Sequence, residues 1–257
     1  MFSIFKKKPA AGSDIILGMV LLRNDQPFSL NAFLADIKEN TRYRISKAAG
    51  DDQAASVKIG GESIAIGFMP VPVPRGDIEG TAAYAYNWPT AVEDLKDHRG
   101  HLIVSVLHGD GTPVDRYRIF TSVICSLLRT TNAIGVYKGA QSLLFPKDQY
   151  LEMAAMMSKD WLPLYLWIYF GFHSIENKNF GYTYGLNAFN KREIEILDSD
   201  RSLGDIEGFL FNMCHYILDN NVEFRDGETC GSSAEERIAI RLSPGRFIEG
   251  ESLKLAY

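Results

Sequence analysis

Two histidines near the middle of the chain have the spacing that best suits a metal ion. His98 and His101 form an H-x-x-H pair where the pattern predicts the end of a helix and the start of a strand. A zinc site takes three or four protein ligands, and the sequence offers no obvious third. His108 follows on the same predicted strand, about 23 Å from His101 and on the opposite face. His98 and His101 are therefore candidate ligands of an incomplete site, and we expect no metal and no cofactor.

Two glutamates in the last third of the chain are the candidates for acid–base chemistry. Carboxylates that are buried together can split their pKa values and act as acid and base. Glu193 and Glu195, joined by His101, would then form a hydrolase-type site in a cleft between two lobes. Both glutamates alternate with isoleucines, at Ile194 and Ile196. That alternation is typical of a strand whose glutamates face solvent, so we expect both to be exposed.

Other motifs for catalysis are absent from the sequence. It contains no G-x-S-x-G nucleophile elbow and no G-x-x-x-x-G-K phosphate loop. Cys214 and His215 are neighbours on a predicted helix, so their side chains diverge by about 100° and cannot act as nucleophile and base. These absences favour a protein that is not an enzyme.

Composition limits the classes of partner. The 257 residues carry a formal net charge of -5, with 46% apolar and 23% charged residues, which is typical of one large globular domain or two joined ones. Such a charge argues against nucleic acid and against anionic membranes as partners. The apolar segment 161–172 is too short to span a membrane and is predicted to be core, with a strand over 164–172. Cys125, Cys214 and Cys230 form no metal or disulfide pattern, which indicates a reducing cytoplasm.

The predicted elements alternate between strands and helices along the whole chain. Gly60 and Gly61 separate two apolar runs and predict a two-residue hairpin turn. Thr112 and Pro113 are predicted to open a long helix, and Ser202 with Asp205 resembles a capping box at the start of another. The pattern predicts an α+β fold of mixed sheets packed with helices, in two closely joined lobes. The lobes share a loose strand–helix–strand order, which is either a diverged duplication or chance.

The predicted domains follow from the same pattern. Residues 1–12 form a flexible basic tail around Lys6–Lys8. Residues 13–158 form an N-terminal α/β lobe, and residues 161–257 form a C-terminal α+β lobe. The boundary falls near Ser158–Asp160, where no flexible linker marks it.

A segment of the C-terminal lobe resembles a known bacterial family. Residues 180–196 resemble the pattern T-x-G-L-x-x-F-G-x-x-E-I-E of the domain of unknown function 4261, with Asn190 in place of the second glycine. The matching residues are Thr183, Gly185, Leu186, Phe189, Glu193, Ile194 and Glu195. The family has no established activity, so the resemblance implies no catalytic residue. It implies a fixed structural or recognition element, and Tyr182, Thr183, Tyr184 and Gly185 are its predicted binding residues.

Three functions remain open at this point. The leading one is a cytoplasmic, non-enzymatic protein that acts through protein–protein contact, as an accessory or immunity-like factor with a protein partner. The alternatives are a hydrolase that uses Glu193, Glu195 and His101, and a metal-binding regulator that uses His98 and His101. Protein–protein contact predicts an exposed apolar patch.

Overall fold

The computed structural model describes residues 15–231 and 236–257. The chain divides into two compact units, Ser13–Lys159 and Asp160–Tyr257, which are called the first and the second unit below. The predicted basic tail over residues 1–12 lies outside the described residues. Each unit is built on its own sheet.

The first unit contains a seven-stranded antiparallel sheet in the order β2-β3-β4-β5-β1-β6-β7. Its strands are β1 (Ile16–Leu22), β2 (Ile45–Gly50), β3 (Ala54–Ile59), β4 (Glu62–Met69), β5 (Gly100–His108), β6 (Ala133–Lys138) and β7 (Leu143–Pro146). Its helices are α1 (Leu30–Asn40), α2 (Arg75–Ala82), α3 (Ala91–Asp94), α4 (Pro113–Thr130) and α5 (Lys147–Ala155). The central strand β1 lies between β5 and β6.

Helix α4 covers one face of this sheet. It begins where predicted, because Thr112 accepts a hydrogen bond from the Asp115 amide and Asp115 accepts one from the Thr112 amide, while Pro113 lacks an amide that would need a partner. The buried side chains of α4 include Phe120 and Ile124. They pack on β1, β5 and β6, so the sequence stripe becomes the main core of the unit.

The hairpin predicted at Gly60 and Gly61 is confirmed. Ile59 pairs with Glu62, which leaves the two glycines as the turn, and both have a positive φ. In β4 the buried residues alternate with partly exposed ones. The strand ends at Met69, before the proline-rich segment 70–74, where missing amide donors end the ladder.

The second face of the first sheet is covered only in part. The chain between β4 and β5, with α2 and α3, packs Val73, Ile78, Trp88 and Leu95 against Leu21 of β1. These contacts lie over the β1, β6 and β7 side of the sheet. Over β2 to β5, the same face carries mostly small side chains, with Ile103 and Lys58 among them.

The second unit contains a six-stranded sheet in the order β11-β12-β13-β10-β9-β8. Its strands are β8 (Tyr169–Ile175), β9 (Lys178–Tyr184), β10 (Ile194–Ser199), β11 (Thr229–Cys230), β12 (Ile238–Pro244) and β13 (Glu251–Leu255), and its long helix is α6 (Leu203–Asp219). Strands β10 and β13 run parallel and the other pairs run antiparallel. The two units together confirm the predicted α+β class.

Helix α6 begins at its predicted cap, since Ser202 accepts a hydrogen bond from the Asp205 amide. Gly181 of β9 allows the helix to pack closely, because a Cβ there would lie 2.4 Å from a methyl of Ile206 and 2.9 Å from one of Leu210. The space that Gly181 leaves on this face of β9 is therefore filled by α6.

The strand predicted over 164–172 is wrong at its start. Residues Leu164–Leu166 form a short 3-10 helix, and the strand runs from Tyr169 to Ile175. The Leu166 amide donates to the Pro163 carbonyl and the Trp167 amide donates to that of Leu164. These local hydrogen bonds replace sheet pairing, and burial on every side makes the segment look like a strand in sequence.

In the described residues, no helix has both the length and the apolarity to cross a membrane.

Candidate functional site

Both histidines of the predicted H-x-x-H pair form hydrogen bonds with the proline-rich segment 70–74. The His98 Nε2 accepts a hydrogen bond from the Val73 amide at 2.9 Å, and its Nδ1 donates to the Leu95 carbonyl at 2.6 Å. The His101 Nδ1 donates to the Val71 carbonyl at 2.8 Å, and burial lowers the pKa of His101. The lone pair that a metal ion would need on His98 is thus already in use. Among residues 15–231 and 236–257, no three His, Cys, Asp or Glu side chains are grouped to hold a metal ion.

Glu193 stabilises the connection between β9 and β10 through hydrogen bonds. Its carboxylate accepts hydrogen bonds from the Thr183 hydroxyl and the Gly185 amide, both at 2.7 Å, and from the Asn187 amide at 3.3 Å. The side chain is 7% exposed. Burial raises the pKa of Glu193, and the hydrogen bonds from Gly185 and Thr183 lower it only in part. Glu193 therefore satisfies amides at the start of the 3-10 helix Leu186–Phe189.

Glu195 holds the loop between β12 and β13 and is fully buried, at 0% exposed. Its oxygens accept hydrogen bonds from the Arg246 amide at 3.1 Å, the Phe247 amide at 2.7 Å and the Ser252 hydroxyl at 2.6 Å. The Lys254 ammonium lies 2.9 Å away. Burial raises the pKa of Glu195, but the hydrogen bonds from Ser252, Phe247 and Lys254 outweigh it, so the pKa lies below its ordinary value.

The expectation that both glutamates face solvent is therefore wrong. The alternation with Ile194 and Ile196 places side chains on two faces, but both faces of β10 are covered. Each carboxylate is bound by amides and hydroxyls of its own unit. His101, their predicted catalytic partner, belongs to the first unit.

The four predicted binding residues lie in the interior of the second unit. Tyr182, Thr183, Tyr184 and Gly185 are all buried. The Thr183 hydroxyl accepts a hydrogen bond from the Ile194 amide while it donates to Glu193. These residues build the β9–β10 connection and present no exposed side chain to a partner.

An aromatic cluster covers the face of the second sheet opposite α6. The Phe247 ring lies parallel to that of Tyr182, with centroids 5.2 Å apart, and stacks on His173 at 5.3 Å. The Arg246 guanidinium lies 4.5 Å from the centre of the Phe180 ring. Burial lowers the pKa of His173. No sequence pattern predicted this cluster, because it depends on the loop between β12 and β13 folding back over the sheet.

Lys138 is a second feature that was not predicted from the sequence. It ends β6, is 1% exposed, and points towards α4. Its ammonium lies 4.7 Å from the centre of the Tyr117 ring and 5.4 Å from that of Phe120. Burial lowers its pKa to about 7. The sequence contained one signal for this burial. Lys138 follows the apolar Val136 by two residues, and residues two apart on a strand place their side chains on the same face.

A hollow of about 300 Å³ opens in the second unit, beside the β9–β10 connection. It is bounded by residues that follow β9, by the end of α6 with the chain after it, and by β13. Its apolar floor consists of Ile217, Val222, Phe224 and Leu253, and its polar rim consists of Asn187, Asn190, Lys191, Arg192 and Glu223.

A wider, shallow hollow of about 460 Å³ lies on the first sheet. Small residues of four neighbouring strands, together with Ile66 and Ile103, line it. The register aligns Ala49 with Ser56, Ser56 with Ala65, and Ala65 with Ser105. We call this uncovered part of the sheet over β2 to β5 the open face. Two exposed apolar side chains border it, namely Leu17, which pairs with Ser105 and is 43% exposed, and Met69, which follows Gly67 by two residues and is 38% exposed.

Comparison with known proteins finds one family model that matches part of the chain. Residues 182–256 match the family model of a domain of unknown function, DUF4261. The resemblance seen in residues 180–196 is thereby confirmed for this segment. No curated protein and no solved structure matches the chain.

The geometry explains the motif that carried the resemblance. Thr183, Gly185 and Glu193 form the hydrogen-bonded connection between β9 and β10, and Glu195 anchors the β12–β13 loop. Gly185 has φ +129°, a conformation that side chains with a Cβ avoid. The segment that matches the family model therefore includes Glu193 and Glu195 together with the two connections that these buried carboxylates stabilise.

Proposed function

We propose that this is a cytoplasmic, non-enzymatic protein that acts by contact with another protein, as an accessory or immunity-like factor. The observation that carries the proposal is the open face of the first sheet. It combines a floor of small side chains and Ile103 with exposed Leu17 and Met69 at its border. Apolar surface grouped in this way is typical of an interaction site.

The partner element that fits this surface best is an α-helix. The same sheet already packs α4 on its other face and α2 with α3 on the rest of this face. Ala65, Gly67 and the serines of the floor add little height, so a helix can approach the backbone closely. Lys58 lies at one end of the floor, paired with Ser63, and favours an acidic residue at that end of the helix.

The buried carboxylates argue against the hydrolase alternative. A general acid or base has to reach its substrate within hydrogen-bond distance. Glu193 and Glu195 instead bind amides and hydroxyls of the fold. His98 likewise binds backbone groups through both ring nitrogens, which argues against the metal-binding regulator.

Site-specific photo-crosslinking in the cells that produce the protein tests the proposal. The crosslinking residue is placed at Ser56 or Ser105 on the open face, and at exposed Glu39 on α1 as the matched control. We expect one protein to be joined at Ser56 and Ser105 and not at Glu39. Once purified, that protein should bind the wild type, should bind the variant Ala65→Asp at least about tenfold more weakly, and should carry the crosslink on a helix.

Three results contradict the proposal. The first is an adduct to residues 1–14 of the same chain, which would make the open face an intramolecular contact. The second is an adduct to another copy of the chain, with a dimer in solution. The third is a monomer that forms no adduct at either serine.

A further inference from the structure

We propose that the hollow beside the β9–β10 connection binds a monoanionic carboxylate that carries one apolar group. The proposal concerns the second unit alone and does not rest on the open face. The lining of the hollow combines an apolar floor with two cations on its rim, Lys191 and Arg192.

The floor supplies the apolar half of the site. Ile217 and Leu253 are buried, and Val222 and Phe224 are half-buried. The floor side chains come from α6, from the chain that follows it and from β13, which fixes their positions. A volume of about 300 Å³ lies at the small end of ligand pockets, so the apolar group is of the size of one amino-acid side chain.

The two cations supply the charged half. The Lys191 ammonium donates to the Asn221 side-chain oxygen at 2.8 Å, and a lysine has three donors. The Arg192 guanidinium lies 3.4 Å from Glu251, with both side chains about half exposed, and an arginine has five donors. A long contact of this kind is weak in water, so a ligand carboxylate can displace it and accept hydrogen bonds from both cations.

Charge and polarity select a single carboxylate. Lys191 and Arg192 share the site with Glu223 of the rim and with Glu251 beside Arg192, so one ligand carboxylate that displaces Glu251 from Arg192 replaces the charge that this cation loses. A dianion would leave one charge unmatched, and a cation would meet the two positive groups. The amides of Asn187 and Asn190 on the rim suit a polar group next to the carboxylate, such as the amide of an acylated amino acid.

Two sources present this chemistry, a free carboxylic acid and the C-terminus of a peptide. The probes are N-acetyl-leucine and a short peptide that ends in leucine, each compared with its carboxamide by isothermal titration and by amide NMR shifts. We expect at least one acid to bind in the millimolar range or more tightly, with shifts at Asn187 to Arg192. Its carboxamide should bind at least about tenfold more weakly, because it lacks the charge.

Matched variants locate the site. Arg192→Gln and Lys191→Gln should each weaken binding by about tenfold, whereas Lys178→Gln, which removes another partly exposed lysine of the same unit, should leave binding unchanged. Val222→Phe should fill the floor and abolish binding in a chain that still unfolds cooperatively. Equal binding of acid and carboxamide, equal effects of Lys178→Gln and Arg192→Gln, or no binding of either acid would overturn the proposal.

Discussion

Lys138 places an ammonium group where water does not reach. The side chain lies over the rings of Tyr117 and Phe120 and is surrounded by the core between α4 and the sheet. Cation–π attraction offsets part of the lost hydration. The remainder lowers the pKa of Lys138, which makes the stability of the first unit depend on pH.

We expect the free energy of unfolding to decrease as pH falls from about 10.5 to about 7. The unfolded chain takes up a proton on Lys138 near the ordinary lysine pKa of 10.5, whereas the folded chain takes it up only near about 7. One pKa unit corresponds to about 1.4 kcal/mol, so the loss has an upper limit of about 5 kcal/mol. Lys138→Met should be more stable than the wild type at pH 7 and should lose this pH dependence in urea titrations.

Lys38→Met is the control for this measurement, because Lys38 is exposed on α1. It should change the free energy of unfolding by less than about 0.5 kcal/mol at every pH. If Lys138→Met follows the same pH dependence as the wild type, then Lys138 does not titrate as described.

Glu193→Ala should destabilise the second unit by about 3 kcal/mol. The change leaves the Gly185 amide, the Asn187 amide and the Thr183 hydroxyl without their acceptor inside the protein. Glu193→Gln keeps one acceptor oxygen and should cost less than half as much in thermal or urea unfolding. Glu223→Ala, on the rim of the hollow and exposed, should have little effect. Equal losses for the alanine and glutamine variants would exclude the role given to Glu193.

The surroundings of individual polar side chains were harder to predict from the sequence than the elements or the fold class. Glu193 and Glu195 looked solvent-exposed, because their alternation with isoleucines is the same whether the outer face meets water or another segment. Glu193 is buried by the 3-10 helix Leu186–Phe189, and Glu195 is buried by the loop between β12 and β13. His98 and His101 were predicted to turn toward one point as candidate metal ligands. Both instead form hydrogen bonds with the backbone of the segment 70–74.

At the level of elements, the turn between β3 and β4 provides a sharp test. Gly60 has φ +59°, and a Cβ there would lie 2.9 Å from Ile119. Gly60→Val should therefore destabilise the first unit by about 2 kcal/mol or more, through backbone strain and crowding. Gly67→Val in the same hairpin meets open space and adds a residue that favours strands, so it should cost nothing. Similar costs for the two variants in chemical denaturation would contradict this account.

The loop between β12 and β13 depends on one carboxylate. Glu195→Ala removes the acceptor of the Arg246 and Phe247 amides, so we expect their hydrogen exchange to accelerate by at least about tenfold. Asp198→Asn removes the charge of an exposed contact of 3.4 Å to the Arg246 side chain, keeps a residue type that tolerates the positive φ of this position, and should leave this exchange unchanged. Because the pKa of Glu195 is lowered, the wild-type loop should keep its protection above pH 4.5 and lose it as pH falls through that pKa. Unchanged exchange in Glu195→Ala would contradict the anchoring role.

Elements that carry their own local signals were predictable. The Gly60–Gly61 turn and the caps at Thr112 and Ser202 depend on a few neighbouring residues, and the structure has each of them. The start of the segment 164–172 was mistaken for a strand because apolar residues on every side do not distinguish a strand from a buried turn. Tertiary contacts decided that case.

For the molecule as a whole, the open face should be a surface that folding does not need. Ala65→Asp should change the free energy of unfolding by about 1 kcal/mol, because its side chain points into the shallow hollow. Ile66→Asp, one residue away on the core face, should cost more than about 4 kcal/mol or prevent folding. A large loss in both variants, measured by urea unfolding, would mean that the open face is part of the core.

The fold class was predictable from the order of elements, whereas the surfaces were not. Composition and periodicity specify which residues are apolar, and Ala65 and Ser105 carry no apolar signal of their own. They become a surface only when β2 to β5 are placed side by side in register. The hollow in the second unit likewise unites residues from three separate segments.

The position of β1 has a consequence for synthesis of the chain on the ribosome. This strand ends at Leu22, but its first neighbour begins at Gly100, roughly 80 residues later, and its second neighbour follows after α4. Nascent chains that have not reached β5 therefore carry an apolar strand with both edges open, the kind of segment that chaperones bind and that aggregates when translation stalls. Slow decoding upstream of residue 100 should be costly to this protein, and pauses after β6 should be harmless.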